Sequence, residues 1–431
     1  MEPVNLLLIG CGMMGARHVR GLGELQQVAA GSVHLAALCD PCEERADAVA
    51  DEAAELLGMR PAVYATVEDA LGVQRSLDAA DVVTDPRSHD EIVVPLLESG
   101  LHVICEKPLA VTVERGSRMV RAAERAGRLL AVAENNRHDP MNRLARAALD
   151  GRMIGDPNFA LNVHLGRGGG IIATAWRHRL AMGGVLLDVA IHMAYIMEYL
   201  LGPLERVSGV AQLVQSDRKG PQYDGRQVQV AVDAEDSFSA TLEFASGVEG
   251  QWTVHFASAG ETLHKRTILG SSGTISLPPD RSGQPVQVQV GDERLTGDAL
   301  AAALPEYELP AIETALFGPK PGGYSLEGPV TDRKLLAAVW IGHGGRRPEL
   351  HVQASCGPGV DDDAGHGNRI VSVHLKHQVV RARQQHPVVV PHHRVRIDGM
   401  IAPDNPDGCA HGQSRHRIGH DAPHADQRRL D

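Results

Sequence analysis

The first forty residues constrain the fold more than any other segment of the chain. Residues 4–9 form a short apolar run of strand length that ends at Gly10-Cys11-Gly12-Met13-Met14-Gly15. A helical pattern follows from about Ala16, and a second apolar run over residues 33–39 ends at Asp40. A G-x-G-x-x-G between a strand and a helix, with an acidic residue after the next strand, is typical of dinucleotide-binding folds. The pattern therefore predicts a β-α-β unit that holds a pyrophosphate.

Each part of this loop has a predicted role in cofactor binding. The glycines allow a tight turn and let the backbone approach the phosphates, which then lie at the start of a helix. The predicted loop contacts are Gly10, Gly12, Met13, Met14 and Gly15. Asp40 would accept hydrogen bonds from the ribose hydroxyls and repel the extra phosphate of NADP, although Arg45 lies nearby. We therefore expect NAD rather than NADP.

Strand and helix patterns continue to alternate up to about residue 105, which predicts a doubly wound parallel sheet. Ligands of such sheets bind beyond the carboxyl ends of the strands. Five further residues follow predicted strands or lie in the segment after the last one, and they are candidate cofactor or pocket neighbours: Thr84, Pro86, Glu106, Lys107 and Asn136.

A second informative stretch begins at Gly183-Gly184 and reads as a helix that is apolar nearly all round. Asp188 and His192 are four residues apart, so they share a face of this helix, which Tyr195 continues. Burying a carboxylate and an imidazole is costly unless they are paired or line a cavity. A structural role would be the ordinary interpretation of this pair, but its combination with a dinucleotide site favours catalysis.

Three ordered motifs together resemble the Gfo/Idh/MocA oxidoreductases. They are the glycine loop at residues 10–15, the run Glu106-Lys107-Pro108, and the GG-x-L-x-D-x3-H pattern that ends at His192. Arg137 matches a further family segment, and the resemblance covers about residues 4–340. It implies a Rossmann domain over residues 1–137 and an α+β domain with an open, mainly antiparallel sheet over residues 138–345. It also implies a homo-oligomer, either a dimer or a tetramer.

The resemblance implies hydride transfer between a nicotinamide cofactor and a secondary alcohol of a sugar, cyclitol or aminocyclitol. An imidazole suits the task of taking the hydroxyl proton, so His192 is the expected base. Lys107 would stabilise the developing negative charge on the oxygen, and Asp188 would orient either the substrate or His192. The sequence departs from the family at Ala190, where Gly is frequent, and at Tyr195, where Asp is frequent.

Three other functions remain open at this point. One is an NAD-using glycosidase, and another is a catalytically silent sensor of sugars or dinucleotides, which the presence of the three candidate catalytic residues disfavours. An aldehyde dehydrogenase would need a nucleophilic cysteine, and Cys105 is expected to pack inside a strand. The pair Cys39 and Cys42 has CxxC spacing, but Asp40 between them already has a cofactor role, which disfavours a redox or metal function.

Within residues 151–330, five apolar or alternating runs agree with an open sheet in the second domain. They are residues 207–214, 228–232, 238–244, 250–256 and 267–277. A C-terminal helix is expected to begin at Thr331-Asp332-Arg333-Lys334, but its pattern is lost near Ile341.

Residues 346–431 differ from the rest in composition. All 14 aromatic residues lie at or before Trp340, whereas 12 of the 22 histidines come after it. Few large side chains remain to offset the ordering entropy, so we expect a mostly irregular tail, which an out-of-frame reading of GC-rich DNA would also produce. The histidines lack tight ligand spacing, so no metal site is predicted.

The overall composition narrows the partners. A formal charge of −12 without a basic run argues against nucleic acid or an anionic membrane surface as partners. No secretory signal is visible, and Asp188, His192 and Glu198 interrupt the longest apolar stretch, residues 185–201. With few cysteines, the expected location is a reducing cytoplasm. Abundant Ala, Gly and Arg suggest a bacterial source, where such enzymes serve cyclitol catabolism or the biosynthesis of aminocyclitol antibiotics.

Overall fold

The computed structural model describes residues 2–280, 282, 284–304, 307–309 and 311–317, and the backbone of residues 369–374. The predicted C-terminal helix, which was expected to begin at residues 331–334, lies outside the described residues. The same holds for the predicted irregular tail, apart from residues 369–374, which form a strand where no regular element was predicted.

The first domain is built on a six-stranded sheet in which every pair of neighbours is parallel. Its strands are β1 (Val4–Ile9), β2 (Val33–Cys39), β3 (Ala62–Tyr64), β4 (Ala79–Val82), β5 (His102–Cys105) and β6 (Leu130–Val132). They lie in the order β3-β2-β1-β4-β5-β6. This is the order of dinucleotide-binding folds: β2 and β3 are added on one side of β1, and β4, β5 and β6 on the other. The predicted doubly wound sheet is confirmed.

Helices connect these strands and cover the sheet. They are α1 (Met13–Val28), α2 (Glu43–Leu57), α3 (Val67–Val73), α4 (His89–Glu98) and α5 (Val113–Ala126). Leu22 and Val49 belong to one apolar cluster against the sheet, and Val93 and Met119 belong to another. α1 begins at Met13, about one turn earlier than predicted, so both methionines of the loop belong to its first turn.

The second domain follows a short 3-10 turn over Asn135–His138 and begins with helix α6 (Pro140–Asp150). It contains the strands β7 (Pro157–Arg167), β8 (Leu204–Gln212), β9 (Asp217–Pro221), β10 (Gln227–Ala231), β11 (Ser237–Phe244), β12 (Glu249–Ser258), β13 (Leu263–Gly270), β14 (Gly273–Leu277), β15 (Gln287–Val290), β16 (Glu293–Thr296) and β17 (Arg369–His374). β9 and β10 form a separate hairpin, and the others lie in the order β16-β15-β14-β13-β7-β12-β11-β8-β17. Only the β7–β12 pair is parallel among these, so the predicted mainly antiparallel sheet is confirmed.

A wide helical turn over Leu186–Ala190 leads into helix α7 (Ile191–Leu201). By length and a mean hydropathy of 1.7, the stretch Leu180–Leu201 is apolar enough to cross a membrane, as core helices of folded domains also are. In this structure Ile196 of α7 packs with Leu144 of α6 and Leu242 of β11 in the core of the second domain. This packing fixes the helix that carries His192.

Two short helices follow the large sheet, α8 (Gly297–Ala302) and α9 (Ala311–Phe317). α8 packs into the core of the second domain through Leu300. α9 returns to the first domain, where Leu316 and Phe317 join the apolar cluster around Leu22. The described chain therefore passes from the nucleotide-binding domain to the large sheet and back.

Candidate active site

The glycine loop between β1 and α1 has the shape that a dinucleotide needs. Gly10 has φ +98°, and a Cβ there would overlap the carbonyl of Val83. A Cβ on Gly15 would overlap the carbonyl oxygen of Gly10, so the helix packs closely on the turn. By contrast, nothing lies within 4 Å of the Cβ position of Gly12. This open space lies directly before the first turn of α1, which contains no acidic residue, so the cradle fits a pyrophosphate.

Asp40 lies at the carboxyl end of β2 and is buried. Its Oδ2 accepts a hydrogen bond from the backbone amide of Cys11 (2.8 Å), and its Oδ1 accepts one from the amide of Cys42 (2.9 Å). Arg45 is 3.6 Å from Oδ1. The carboxylate therefore ties the glycine loop to the end of β2. Each oxygen has a second lone pair that can accept a ribose hydroxyl.

Two candidate thiols can be excluded from redox or nucleophilic chemistry. Cys39 is a free, buried thiol, and burial together with the charge of Asp40 raises its pKa to about 12. Cys105 is free and fully buried in β5, and burial raises its pKa well above 9.0. Since the thiolate is the reactive form, both remain inert.

Thr84 and Pro86 follow β4, and Thr84 borders the glycine loop. The methyl group of Thr84 lies beside Gly10. The hydroxyl of Thr84 accepts a hydrogen bond from Ser88 (2.9 Å), and its carbonyl oxygen lies 3.2 Å from Nε2 of His89. Pro86 is buried. The turn after β4 is therefore fixed next to the predicted cofactor loop.

Three buried side chains, His18, Asp81 and Glu106, form a hydrogen-bonded ion triad next to Lys107. His18 of α1 is 1% exposed and hydrogen-bonds Oδ2 of Asp81 (2.7 Å) and Oε1 of Glu106 (3.1 Å). Burial opposes the charged form of Glu106, but the hydrogen bond and charge of His18 outweigh it and lower the pKa of Glu106. Oε2 of Glu106 accepts the backbone amide of Lys107 (2.9 Å). The triad thus holds the backbone from which the Lys107 side chain extends.

The ammonium of Lys107 meets the turn before α7. Its Nζ donates to the carbonyl oxygen (2.7 Å) and to Oδ1 (3.0 Å) of Asp188. The other oxygen of Asp188 accepts Nε of Arg177 (2.5 Å). Burial would raise the pKa of Asp188, but the charges of Lys107 and Arg177 outweigh it and lower the pKa. Asp188 therefore stays ionised between two cations.

The imidazole of His192 meets the end of β6. Its Nδ1 lies 2.8 Å from Oε2 and 2.9 Å from Oε1 of Glu134, which is 3% exposed. Glu134, rather than Asp188, therefore holds His192. Asn136 lies beyond Glu134: its amide nitrogen donates to Oε1 of Glu134, and its side chain is 3.5 Å from Asp280.

Two further residues lie next to this site: Arg137, which is part of the family resemblance, and Tyr195 of α7, which departs from the family pattern. The guanidinium of Arg137 lies 5.2 Å from the ring centroid of Tyr199. Tyr195 is largely buried, and burial together with the charge of Glu134 raises the pKa of its hydroxyl. The hydroxyl of Tyr195 therefore stays neutral.

Comparison with known proteins identifies the family. The family model described as an oxidoreductase family with an NAD-binding Rossmann fold matches residues 4–134, and the GFO/IDH/MocA C-terminal domain matches residues 142–276. Inositol 2-dehydrogenase 2 of Saccharopolyspora erythraea is 30% identical over 278 residues, which are 64% of this chain and 74% of that protein. Levoglucosan dehydrogenase of Pseudarthrobacter phenanthrenivorans is 26% identical over 315 residues, with 65% and 75% of the two chains covered.

Solved structures agree with the fold. An NAD binding oxidoreductase from Klebsiella pneumoniae superposes with a TM-score of 0.61 at 25% identity, covering 78% of this chain and 88% of that one. Levoglucosan dehydrogenase in complex with NADH and L-sorbose gives a TM-score of 0.63 at 24% identity, covering 79% and 90%. The glycosidase and sensor interpretations gain no support from these relatives. The chain belongs to the Gfo/Idh/MocA family and is an NAD-dependent dehydrogenase.

Proposed function

We propose that this enzyme transfers a hydride between NAD and a secondary alcohol of a sugar, a cyclitol or an aminocyclitol. Two contacts at the carboxyl edge of the sheet carry the proposal. Lys107, which follows β5, hydrogen-bonds Asp188. Glu134, which follows β6, hydrogen-bonds His192. Relatives named for inositol, levoglucosan and D-apiose support the substrate class. Each of these substrates presents several neutral hydroxyl groups to a polar site.

We assign the cofactor to the loop between β1 and α1. The backbone at Gly10, Gly12, Met13, Met14 and Gly15 would hold the pyrophosphate, and Asp40 would accept the adenosine ribose hydroxyls. Thr84, Pro86, Glu106 and Asn136 would border the rest of the dinucleotide. When bound, NAD supplies the hydride acceptor.

Lys107 supplies the positive charge for the substrate oxygen. An ammonium group has three donors, and two of those on Nζ are engaged by the carbonyl oxygen and carboxylate of Asp188. The third can donate to the hydroxyl oxygen and stabilise it as its proton leaves. Asp188 keeps this ammonium in place, and the ammonium of Lys107 in turn orients the substrate.

His192 acts as the base. Its Nδ1 is bonded to Glu134, which leaves Nε2 as the ring atom that can accept the hydroxyl proton. Among the residues that the structure describes, none hydrogen-bonds Nε2. The side chain of His192 is 19% exposed, so it is accessible to a substrate while Glu134 is not.

Substitution of the two central residues tests this mechanism. His192→Ala should lower turnover by about 10²- to 10⁴-fold, the range of general acid–base catalysis, because the proton acceptor is lost. Lys107→Ala should also lower turnover. NAD affinity of His192→Ala should change little, since the loop at residues 10–15 binds the dinucleotide. Measurement requires a substrate found by screening inositols, inosamines, hexoses and levoglucosan for NADH formation.

Matched controls are His34→Ala, at a half-buried imidazole on β2, and Lys265→Ala, at an exposed lysine on β13. Both should keep turnover within about twofold of the unaltered enzyme. Near-normal hydride transfer in His192→Ala and Lys107→Ala, with NAD bound normally, would refute the mechanism. NADH formation from none of these polyols would refute the substrate class.

We further propose that the enzyme is a homo-oligomer, either a dimer or a tetramer. The apolar side chains of Val210, Leu213 and Val214 are 40–45% exposed along the end of β8 and the residues after it. Clustered exposed apolar side chains are typical of surfaces that a partner subunit covers. The cytoplasmic location remains a prediction from composition.

A further inference from the structure

We infer that Glu134 is a positioning residue for the reaction: its buried carboxylate sets the proton location and the orientation of the His192 ring. This inference rests on the proposed function of His192 as the base. The supporting observations are contacts between two buried elements, the end of β6 and the first turn of α7.

The contact between the two side chains is close and uses both carboxylate oxygens. Nδ1 of His192 lies 2.8 Å from Oε2 and 2.9 Å from Oε1 of Glu134. An ionised carboxylate can only accept hydrogen bonds, so Nδ1 must carry a proton. In the neutral ring, Nε2 then has the free lone pair. Glu134 therefore selects the tautomer that a base for the substrate hydroxyl needs.

Glu134 is itself held in place without any ligand. It precedes the 3-10 turn Asn135–His138, and its Oε1 accepts the backbone amide of Asn136 at 3.0 Å. The carbonyl oxygen of Asn136 accepts the side-chain amide of Asn142 on α6 (2.9 Å), which fixes the turn in position. Since Glu134 is 3% exposed, water does not compete for its oxygens. The carboxylate is thus oriented before a substrate arrives.

The alternative partner, Asp188, is occupied. Its carboxylate oxygens accept hydrogen bonds from Lys107 and Arg177. It also precedes His192 by one turn of the same helical segment, whereas Glu134 reaches the ring from a different domain. Glu134 is therefore the carboxylate that faces the imidazole most directly.

The role of Glu134 in the reaction follows from charge. When the substrate alcohol is oxidised, its O–H bond would break and Nε2 would take the proton, while bound NAD would supply the acceptor for the hydride of the adjacent C–H. The ring becomes a cation, which the charge of Glu134 stabilises. Glu106 after β5 also lies close enough to the ring for their charges to interact. Along the helical segment, Asp188 lies about one turn before His192 and Tyr195 about one turn after it.

Glu134→Gln tests the inference, because it keeps the size of the side chain and removes its charge. We expect kcat to fall by about 10- to 10³-fold with KM within about twofold, in line with losses of groups that orient a catalytic imidazole. The pH midpoint of kcat should also change, because the charge that faces the reacting ring is removed. Glu134→Asp should recover part of the lost turnover.

The matched control is Glu313→Gln, which removes another carboxylate that is 2% exposed and lies beside a histidine, His138. It should leave the pH midpoint of kcat unchanged. ¹⁵N NMR of the histidine rings gives a readout that does not depend on activity. In the unaltered enzyme His192 should show a protonated Nδ1 and an unprotonated Nε2 at neutral pH, and Glu134→Gln should change this pattern.

The outcomes separate the two proposals. An unchanged ring pattern and pH midpoint in Glu134→Gln would overturn the role of Glu134, whatever His192 does. If the ring pattern changes but both Glu134→Gln and His192→Ala retain turnover, Glu134 orients a histidine that is not the base, and the proposed function fails instead. A fall in kcat for Glu313→Gln as large as for Glu134→Gln, with the same pH shift, would also overturn the inference.

Discussion

Raising the pH from 7 to 9 should destabilise the nucleotide-binding domain by about 2 to 3 kcal/mol through one buried side chain, His18. The imidazole lies between two carboxylates, 2.7 Å from Oδ2 of Asp81 and 3.1 Å from Oε1 of Glu106. Burial alone would lower the pKa of His18. The charges and hydrogen bonds of the two carboxylates outweigh burial and raise this pKa from 6.5 to about 10.

The direction of the effect follows from the sign of the shift. The folded protein holds the proton of His18 more tightly than the unfolded chain does, so the stabilisation is fully present below pH 6.5. It is lost as the pH rises from 6.5 towards 10, where the folded protein also releases the proton. Each pKa unit corresponds to about 1.4 kcal/mol, so the whole shift amounts to about 5 kcal/mol. The interval from pH 7 to 9 contains roughly half of this.

Urea denaturation followed by circular dichroism at pH 7 and pH 9, without NAD, measures the effect. In His18→Gln the side chain cannot become charged, so most of the pH dependence of the unfolding free energy should disappear. The control is His34→Gln, which removes a half-buried imidazole that hydrogen-bonds Asn5 rather than a carboxylate, and it should retain the dependence. An equal change in unfolding free energy between pH 7 and 9 in the unaltered protein and His18→Gln would refute the reasoning.

Two further predictions concern the cofactor loop. NAD should bind more tightly than NADP, and Asp40→Ala should reduce this difference in affinity because the carboxylate no longer repels the extra phosphate. Titration of the enzyme with each cofactor measures both affinities. Tighter binding of NADP by the unaltered enzyme would contradict the prediction. Gly12→Ala should fold normally, since its Cβ enters open space, but should lose about tenfold or more in NAD affinity because that space is needed by the pyrophosphate. Gly15→Ala, whose Cβ would overlap the carbonyl of Gly10, should instead lower the thermal midpoint of the protein.

The architecture of the first domain could be predicted because its strands are short, mostly apolar and separated by helices. The predicted runs 4–9 and 33–39 coincide with β1 and β2, and the predicted alternation of strands and helices up to about residue 105 extends to the end of β5. The second domain was harder, and the central strand β7 (Pro157–Arg167) was missed. Its signal is nevertheless present in the sequence, because Phe159, Leu161, Val163 and Leu165 alternate with Ala160, Asn162 and His164.

The candidate site was predicted in its central residues and missed in its supports. His18 occupies a position of α1 between the buried Gly15 and Leu22, where a polar residue on a buried stripe could have indicated a partnered group. Glu134 follows an apolar strand, as Asp40 and Glu106 do, and could have been found by the same rule. Arg177 had no such signal, because its approach to Asp188 depends on the path of residues 168–178.

Three of the acidic residues at the carboxyl edge of the parallel sheet share one physical role. Asp40 accepts the amide of Cys11, Glu106 accepts the amide of Lys107, and Glu134 accepts the amide of Asn136. A carboxylate after a buried strand can stay charged only if it is hydrogen-bonded, and the turn beyond the strand supplies backbone donors for this purpose. Each carboxylate therefore fixes the turn that follows its own strand or a neighbouring one.

This shared role also explains where the reactive groups lie. Having fixed a turn, each of these carboxylates has acceptor capacity left over, which His18 uses at Glu106 and His192 uses at Glu134. The surplus negative charge makes it favourable to place cations at the same edge, and Lys107 lies there with Asp188 as its own counter-ion. The edge can therefore hold an ammonium and a proton-accepting imidazole close together, since each has a separate carboxylate to balance its charge. A site with one shared carboxylate would lose this independence, because protonation of the imidazole would weaken the hold on the ammonium.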